Sequence, residues 1–206
     1  MIIMADIWFT SDLHFMHNKE FLYGPRGFSN EREMSEALVE NWNSIVKPED
    51  IVYDLGDLAL SDVQEAVKYI KKLNGRHFCI IGNHDTNKKI DFIHDYCYEN
   101  VNFLGYAEVL KYEKYKFFLC HYPTNTSNFD DKKFSQHLIS LHGHTHQQKN
   151  WIYTDNPFIY HVGVDSHNNT PVHIDEILAD IRNRYNAQEQ LYETYKEDNY
   201  NATKKG

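Results

Sequence analysis

The chain has 206 residues, 41% of them hydrophobic and 15% aromatic, which are values of a folded globular domain and not of a disordered chain. Its formal net charge is −9, from 30 acidic against 21 basic residues, so it repels polyphosphate backbones and no extended nucleic-acid binding is expected. No apolar run approaches the roughly 20 residues that span a bilayer, which leaves no membrane partner.

The first segment, residues 2–10, reads as a buried strand and not as a signal peptide, because Met1–Asp6 lacks a basic region and a small-residue cleavage site. A polar and aromatic loop follows from Phe15 to Phe28. Asn30, with Glu33 three positions on, marks the start of a helix whose apolar face is Met34, Leu38, Trp42 and Ile45. Lys47-Pro48 ends it. Ile51–Leu55 is a second strand. Ser61 to Gln64 has capping-box spacing, and Val63, Ala66, Val67, Ile70 and Leu73 make a second amphipathic helix. Asn74-Gly75 turns the chain into a third strand ending at Ile81, and a shorter helix covers about Lys88 to Tyr96.

This β-α-β-α-β-α order implies right-handed crossovers and a parallel sheet. From Val101 onward the spacing changes to short β-rich runs, Val109–Tyr112 and Lys116–Cys120, which predict hairpins and an antiparallel or mixed second half. A polar loop over Pro123–Asp130 and a short helix near Lys132–His137 lead to Ile139-Ser140-Leu141. Two late strands, Phe158–Val164 and Val172–Ile174, precede a final helix with Ile177, Leu178, Ile181 and Tyr185 on one face. The expected organisation is a single domain over residues 1–196 and a polar, flexible tail over 197–206. Cys79, Cys97 and Cys120 are odd in number and irregularly spaced, and two lie in apolar runs. They read as reduced thiols of a cytoplasmic protein.

Five apolar runs end in metal-ligand residue types. Asp12-Leu13-His14 follows the first, Gly56-Asp57 the second and Gly82-Asn83-His84-Asp85 the third; His121 and Gly143-His144-Thr145-His146 follow two later ones. Ligands in open α/β sheets gather outside the carboxyl ends of the strands, so these segments are expected to converge. Asp12, His14, Asp57, Asn83, His121, His144 and His146 form a donor set without thiolate, suited to Mn, Fe, Ni or Zn. Seven donors exceed one tetrahedral ion and suit two ions sharing a carboxylate, about 3.5–4 Å apart. His77, His94, His137 and His173 read as surface or satisfied core residues, whereas His17 and His142 flank motifs and are candidate substrate contacts. Arg26, in the loop after the first motif, is the candidate phosphate contact. Asp165, near a late strand end, is a candidate support for a ligand imidazole.

Asp-x-His, Gly-Asp, Gly-Asn-His-Asp, a lone His and Gly-His-x-His, in that order, resemble the calcineurin-like metallophosphoesterases. The closest similarity is to small single-domain members of bacteria and phages, through Phe9–Phe15, Asn41-Trp42-Asn43, Val52-Tyr53 and Val162–Asp165. The resemblance implies an α/β sandwich of two mixed β-sheets flanked by helices, in α-β-β-α layers. It implies two divalent ions, Mn²⁺ favoured, one held by Asp12, His14, Asp57 and His146 and the other by Asp57, Asn83, His121 and His144. A hydroxide between them would attack a small phosphodiester or phosphomonoester, nucleotide-like esters included, with His84 assisting outside the metal shell. Many relatives carry an Asp three residues after the bridging one, to orient that histidine; Leu60 stands there. Asp54, Asp62 and Asp85 are the carboxylates at hand to replace it, or backbone alone holds His84. Specificity is expected in Phe15–Ser29 and Pro123–Lys133. The alternatives are a nuclease acting on short nucleic acid, disfavoured by the acidic balance, and a catalytically reduced protein-binding scaffold. The presence of His84 and all seven ligands counts against the scaffold.

Overall fold

The computed structural model describes residues 5–126, 133–153 and 156–203. The start of the expected first strand and part of the loop before residue 133 lie outside these. Two mixed sheets with flanking helices make an α/β sandwich. In the first sheet β1 (Ile7–Thr10), β2 (Ile51–Asp54), β3 (Arg76–Ile80) and β4 (Val101–Gly105) run parallel in the order β4-β3-β2-β1. A short β9 (Val172–His173) closes it, antiparallel to β1. In the second sheet β5 (Ala107–Tyr112) and β6 (Tyr115–Cys120) form a hairpin, while β7 (Leu138–His142) and β8 (Ile159–His161) continue parallel to β6.

The local signals explain most boundaries. A one-turn helix α1 (Glu20–Tyr23) sits in the first loop, followed by α2 (Glu31–Ile45). Asn30 caps α2 by accepting from the backbone N–H groups of Arg32 and Glu33. α3 (Val63–Ile70) begins one residue later than the Ser61–Gln64 pattern implies: Asp62 is the cap and accepts from Glu65 N. α4 (Asn87–Cys97) is the third crossover, and it delivers β4 into the parallel sheet. The change to antiparallel pairing comes after β4, at Gly105 with φ +111°, and the runs expected to form a hairpin, Val109–Tyr112 and Lys116–Cys120, do so. The last helix, α5 (Ile174–Thr203), continues past Lys196 through the polar stretch assigned to a tail.

Two apolar cores fix the layers. Met34, Leu38, Trp42, Val67 and Ile70 from the helices bury against Val52 and Cys79 on one face of the first sheet. Phe9, Leu55 and Ile80 from the other side meet Phe117, Leu119, Ile139 and Leu141, with Ile177 and Ile181 of α5 in the same core. This sandwich aligns the carboxyl ends of β1, β2, β3, β6 and β7 along one rim. Cys79, Cys97 and Cys120 are free thiols. Among the described residues no helix is long and apolar enough to cross a membrane.

His77 is a core residue, as expected. It is 1% exposed, packs 5.0 Å from the Trp42 ring and bonds Asn74 O through Nε2 at 3.1 Å. Burial lowers its pKa from 6.5 to about 4, so unfolding takes up a proton between those values. Its contribution is complete above the unfolded value and is lost as pH falls toward the folded one. His77→Gln should therefore be less stable than the parent at neutral pH, and the gap should narrow by about 1.4 kcal/mol per pH unit below 6.5. Urea unfolding of both proteins at several pH values tests this; a constant gap would show that His77 titrates alike in both states.

Candidate metal centre

Parallel neighbours in the first sheet bring three loops side by side. Asp12 N bonds Gly56 O at 2.9 Å and His14 N bonds Asp57 O at 3.0 Å, which zips the first loop to the second. Gly82 begins the third, packed so closely that a Cβ there would overlap the Asp57 carboxylate. In the second sheet Gly143 N bonds His121 O at 3.0 Å. A Cβ on Gly143 would overlap Ser11 Oγ and Asp12 Oδ2, so glycine is what lets the two sheet rims meet.

All seven expected donors converge here. Asp12 and Asp57 are 0% and 1% exposed. Each gives one carboxylate oxygen to a backbone N–H of another loop: Asp12 Oδ2 accepts from His144 N at 2.9 Å and Asp57 Oδ1 from His84 N at 2.8 Å. The remaining oxygens face inward. Asp12 Oδ1 is buried with no hydrogen-bond partner, 3.9 Å from His14 Nε2 and 3.8 Å from His146 Nε2. Asp57 Oδ2 lies 3.7 Å from His14 Nε2 and 3.5 Å from His121 Nε2, between the two halves. On the far side Asn83 Oδ1 is 2.9 Å from His121 Nε2 and 2.8 Å from His144 Nδ1. By mutual distance Asp12 belongs to both tight groups, Asp12-His14-His146 and Asp12-Asp57-His121. Asp57 Oδ2 is the oxygen that approaches imidazoles of both groups, His14 of the first and His121 of the second.

The hydrogen-bond chemistry of the donors fits cations. His121 Nδ1 faces Leu55 O at 2.8 Å, and a carbonyl only accepts, so the proton sits there and Nε2 presents a lone pair inward. His146 Nδ1 faces Asp165 Oδ2 at 3.0 Å, with the same consequence. Bare nitrogens, a carbonyl-type oxygen and two carboxylate oxygens thus point at one another. Burial raises the Asp12 pKa and pushes His14 well below its usual value, the latter with help from positive charge on His146 and Arg26. His146 is the exception. Burial opposes its charge, but the Asp165 hydrogen bond and the Asp12 charge outweigh it, and its pKa is raised.

The backbone reports the same constraint. Asp12, His14, Asp57, His144 and His146 have φ of 59, 50, 61, 70 and 49°. Each non-glycine residue in this left-handed region costs on the order of 1–3 kcal/mol and persists where the surroundings over-determine it. Sequence spacing carries no sign of this strain.

The expected supporting residues are placed less uniformly. Asp85 Oδ2 accepts from Asp57 N and Gly82 N, both at 2.8 Å, so it stitches the second loop to the third and does not orient His84. Asp54 holds Gly56 N and Asp62 caps α3, so none of the three substitutes for the carboxylate missing at Leu60. His84 is held through its backbone, by Asp57 and by Lys89 Nζ on its carbonyl at 2.9 Å. Its imidazole is half exposed and comes only within 4.0 Å of Asp57 Oδ2. His17 packs behind His14, with ring centroids 5.3 Å apart, and burial with neighbouring His84 lowers its pKa to about 4. His142 is wholly buried on β7 with Nδ1 toward Gly143 O, away from any substrate, because strand alternation turns it inward.

Arg26 is placed otherwise than expected. Its side chain is 1% exposed and grips Asp165 with Nε and Nη2, both at 2.8 Å, while Nη2 also donates to Asp12 O at 2.8 Å. It is a buried clamp, not a phosphate contact. Burial raises the Asp165 pKa, but hydrogen bonds from His146 and Arg26 more than offset this and leave it lowered. Charge alone marks an arginine in sequence; the Asp165 partner, 139 residues away, is visible only in three dimensions.

Such a donor set at the strand ends of a two-sheet α/β sandwich defines a metal-dependent phosphoesterase. The chain belongs to the calcineurin-like phosphoesterase superfamily, whose domain matches residues 6–163. It is 36% identical over 185 residues to an uncharacterized protein of Methanocaldococcus jannaschii, covering 85% of this chain and 90% of that one. It is 28% identical over 210 residues to the Gene 66 protein of Mycobacterium phage D29, covering 86% and 98%. Among solved structures, a protein of unknown function from Aquifex aeolicus shares the fold, with a TM-score of 0.62 at 22% identity over 84% of this chain and 98% of that one.

Partners that orient ligand imidazoles typically contribute about 10–100-fold in metal affinity. Arg26→Ala and Asp165→Asn should each weaken Mn²⁺ binding by that order in calorimetric titrations of the purified chain. Exposed Arg32→Ala, which only pairs with Glu65 at the surface, should not. Unchanged Mn²⁺ affinity in both clamp variants would show that the clamp serves folding alone.

Proposed function

We propose that the chain is a dinuclear metal-dependent phosphohydrolase that cleaves a small phosphodiester or phosphomonoester. The observation that carries this is Asp57 Oδ2, buried between imidazoles of both halves at 3.7 and 3.5 Å, opposite the unpartnered Asp12 Oδ1. Asp12, His14, Asp57 and His146 would hold one ion; Asp57, Asn83, His121 and His144 would hold the other. Bound there, two divalent ions, Mn²⁺ for preference on this oxygen and nitrogen set, would supply Lewis acidity and an activated water for in-line attack on phosphorus.

The chain's own residues do the rest. Asp165 and Leu55 O fix the tautomers of His146 and His121, so that both ring lone pairs face the reacting group. Asp85 locks the turn that carries Asn83 and His84. His84, half exposed and 4.0 Å from Asp57 Oδ2 at the edge of the site, would give a proton to the departing oxygen. His17 packs against His14 and holds its ring in place. Retention of His84 and of every donor supports an enzyme over a scaffold, and the net charge of −9 supports a small substrate over a long polynucleotide.

An alkoxide leaves poorly without a proton, and a positioned general acid contributes about 10²–10⁴-fold. A nitrophenolate needs no proton. With Mn²⁺ present, the parent should turn over both an alkyl and a nitrophenyl phosphodiester. His84→Ala should keep both ions and lose about 10²-fold or more on the alkyl ester, and less on the aryl ester. Equal losses on the two esters would leave His84 an electrostatic role only. No turnover by the parent of any phosphate ester would sink the hydrolase reading.

A further inference from the structure

The His84 imidazole makes no hydrogen bond among the described residues, so its backbone has to place it, 4.0 Å from Asp57 Oδ2. The His84 N–H donates to Asp57 Oδ1 at 2.8 Å. Its carbonyl takes two donors from the start of α4, Thr86 N at 3.2 Å and Lys89 Nζ at 2.9 Å. The same ammonium also donates to Ala59 O at 3.3 Å. Ala59 is 0% exposed, lies next to Leu60 in the second loop and bridges Phe15 of the first. Lys89 thus straps the turn that carries His84 to the loop that carries Asp57.

Nothing in α4 itself calls for a lysine here. Its first turn holds no acidic residue and Thr86 gives it no side-chain cap, while a helix N-terminus favours anions and repels cations. The ammonium is therefore better explained by what it grips than by the helix it stands on. It has three donors and no acceptor, so it joins two carbonyl oxygens that could never bond each other. Its charge makes each of those bonds stronger than a neutral one. The turn is then held from two ends. Asp85 Oδ2 fixes Gly82 N and Asp57 N on the Asn83 side, and Lys89 fixes the carbonyl on the His84 side.

We propose that Lys89 is a positioning residue: its ammonium, strapped between Ala59 O and His84 O, holds the His84 imidazole in the place from which it reaches the departing oxygen. The proposal rests on the phosphohydrolase reading for what His84 does there. The strap itself is a property of the folded chain and does not depend on that reading.

The test separates the strap from the reaction. Lys89→Met keeps the side-chain stem and removes the donors, whereas Lys89→Arg keeps donors and charge. In the metal-free full chain, amide hydrogen exchange at His84 should be about tenfold faster in Lys89→Met than in the parent, and near the parent rate in Lys89→Arg. Exchange at Gly82, whose N–H is held by Asp85, should change in neither, which shows that both variants are folded. With Mn²⁺ bound, Lys89→Met should lose about tenfold or more in kcat on an alkyl phosphodiester and less on a nitrophenyl one, at unchanged KM. Lys89→Arg should recover most of that loss. Added to His84→Ala, Lys89→Met should cost nothing more, because it acts through His84. Unchanged exchange at His84 in Lys89→Met, or a full further loss in the double variant, would overturn the proposal. Faster exchange at His84 in Lys89→Met, together with a parent that hydrolyses no phosphate ester, would overturn the hydrolase reading and leave the strap standing.

Discussion

Two carboxylates taken out of water, Asp12 and Asp57, are the constraint around which this protein is arranged. A buried carboxylate without a partner is costly, and two beside each other more so. The fold meets half of the demand with backbone: one oxygen of each receives an N–H from another loop. It leaves the other oxygen of each turned toward imidazole nitrogens. Five of the candidate ligands also hold left-handed backbone conformations. A chain selected for stability alone has no use for this combination. It is the expected condition of a site completed by cations, where strain and like charge are stored in the loops and the apolar sandwich carries the fold.

Folding and site are joined through the sheet rims. The parallel order β3-β2-β1 places three loops side by side, and the parallel step from β6 to β7 places two more. The inter-sheet core of Phe9, Leu55, Phe117 and Leu141 presses the two rims together, and Gly82 and Gly143 remove the side chains that would hold them apart. Arg26 then ties the first loop to the Val164–Ser166 turn through Asp165, so that His146 is oriented by a contact spanning most of the chain.

Much of this was legible in the sequence. The alternation of apolar runs with amphipathic helices gave the parallel sheet, and the five polar punctuations at strand ends gave the donor set. What was illegible has a physical reason in each case. Nothing near Arg26 distinguishes a buried clamp from a solvated phosphate contact, because its partner is distant in sequence. His142 and His144 are two residues apart, yet one is a wholly buried strand residue and the other a donor; the turn at Gly143 decides, and it depends on close packing against Ser11.

The central claim is that one buried carboxylate joins two cation sites. Electron paramagnetic resonance of the Mn²⁺-loaded chain tests it most directly, because two ions about 3.5–4 Å apart couple magnetically while isolated ions give independent signals. At two Mn²⁺ per chain the spectrum should be coupled, and in Asp57→Ala isolated-ion signals should replace it. A single uncoupled Mn²⁺ per chain at saturation would contradict it.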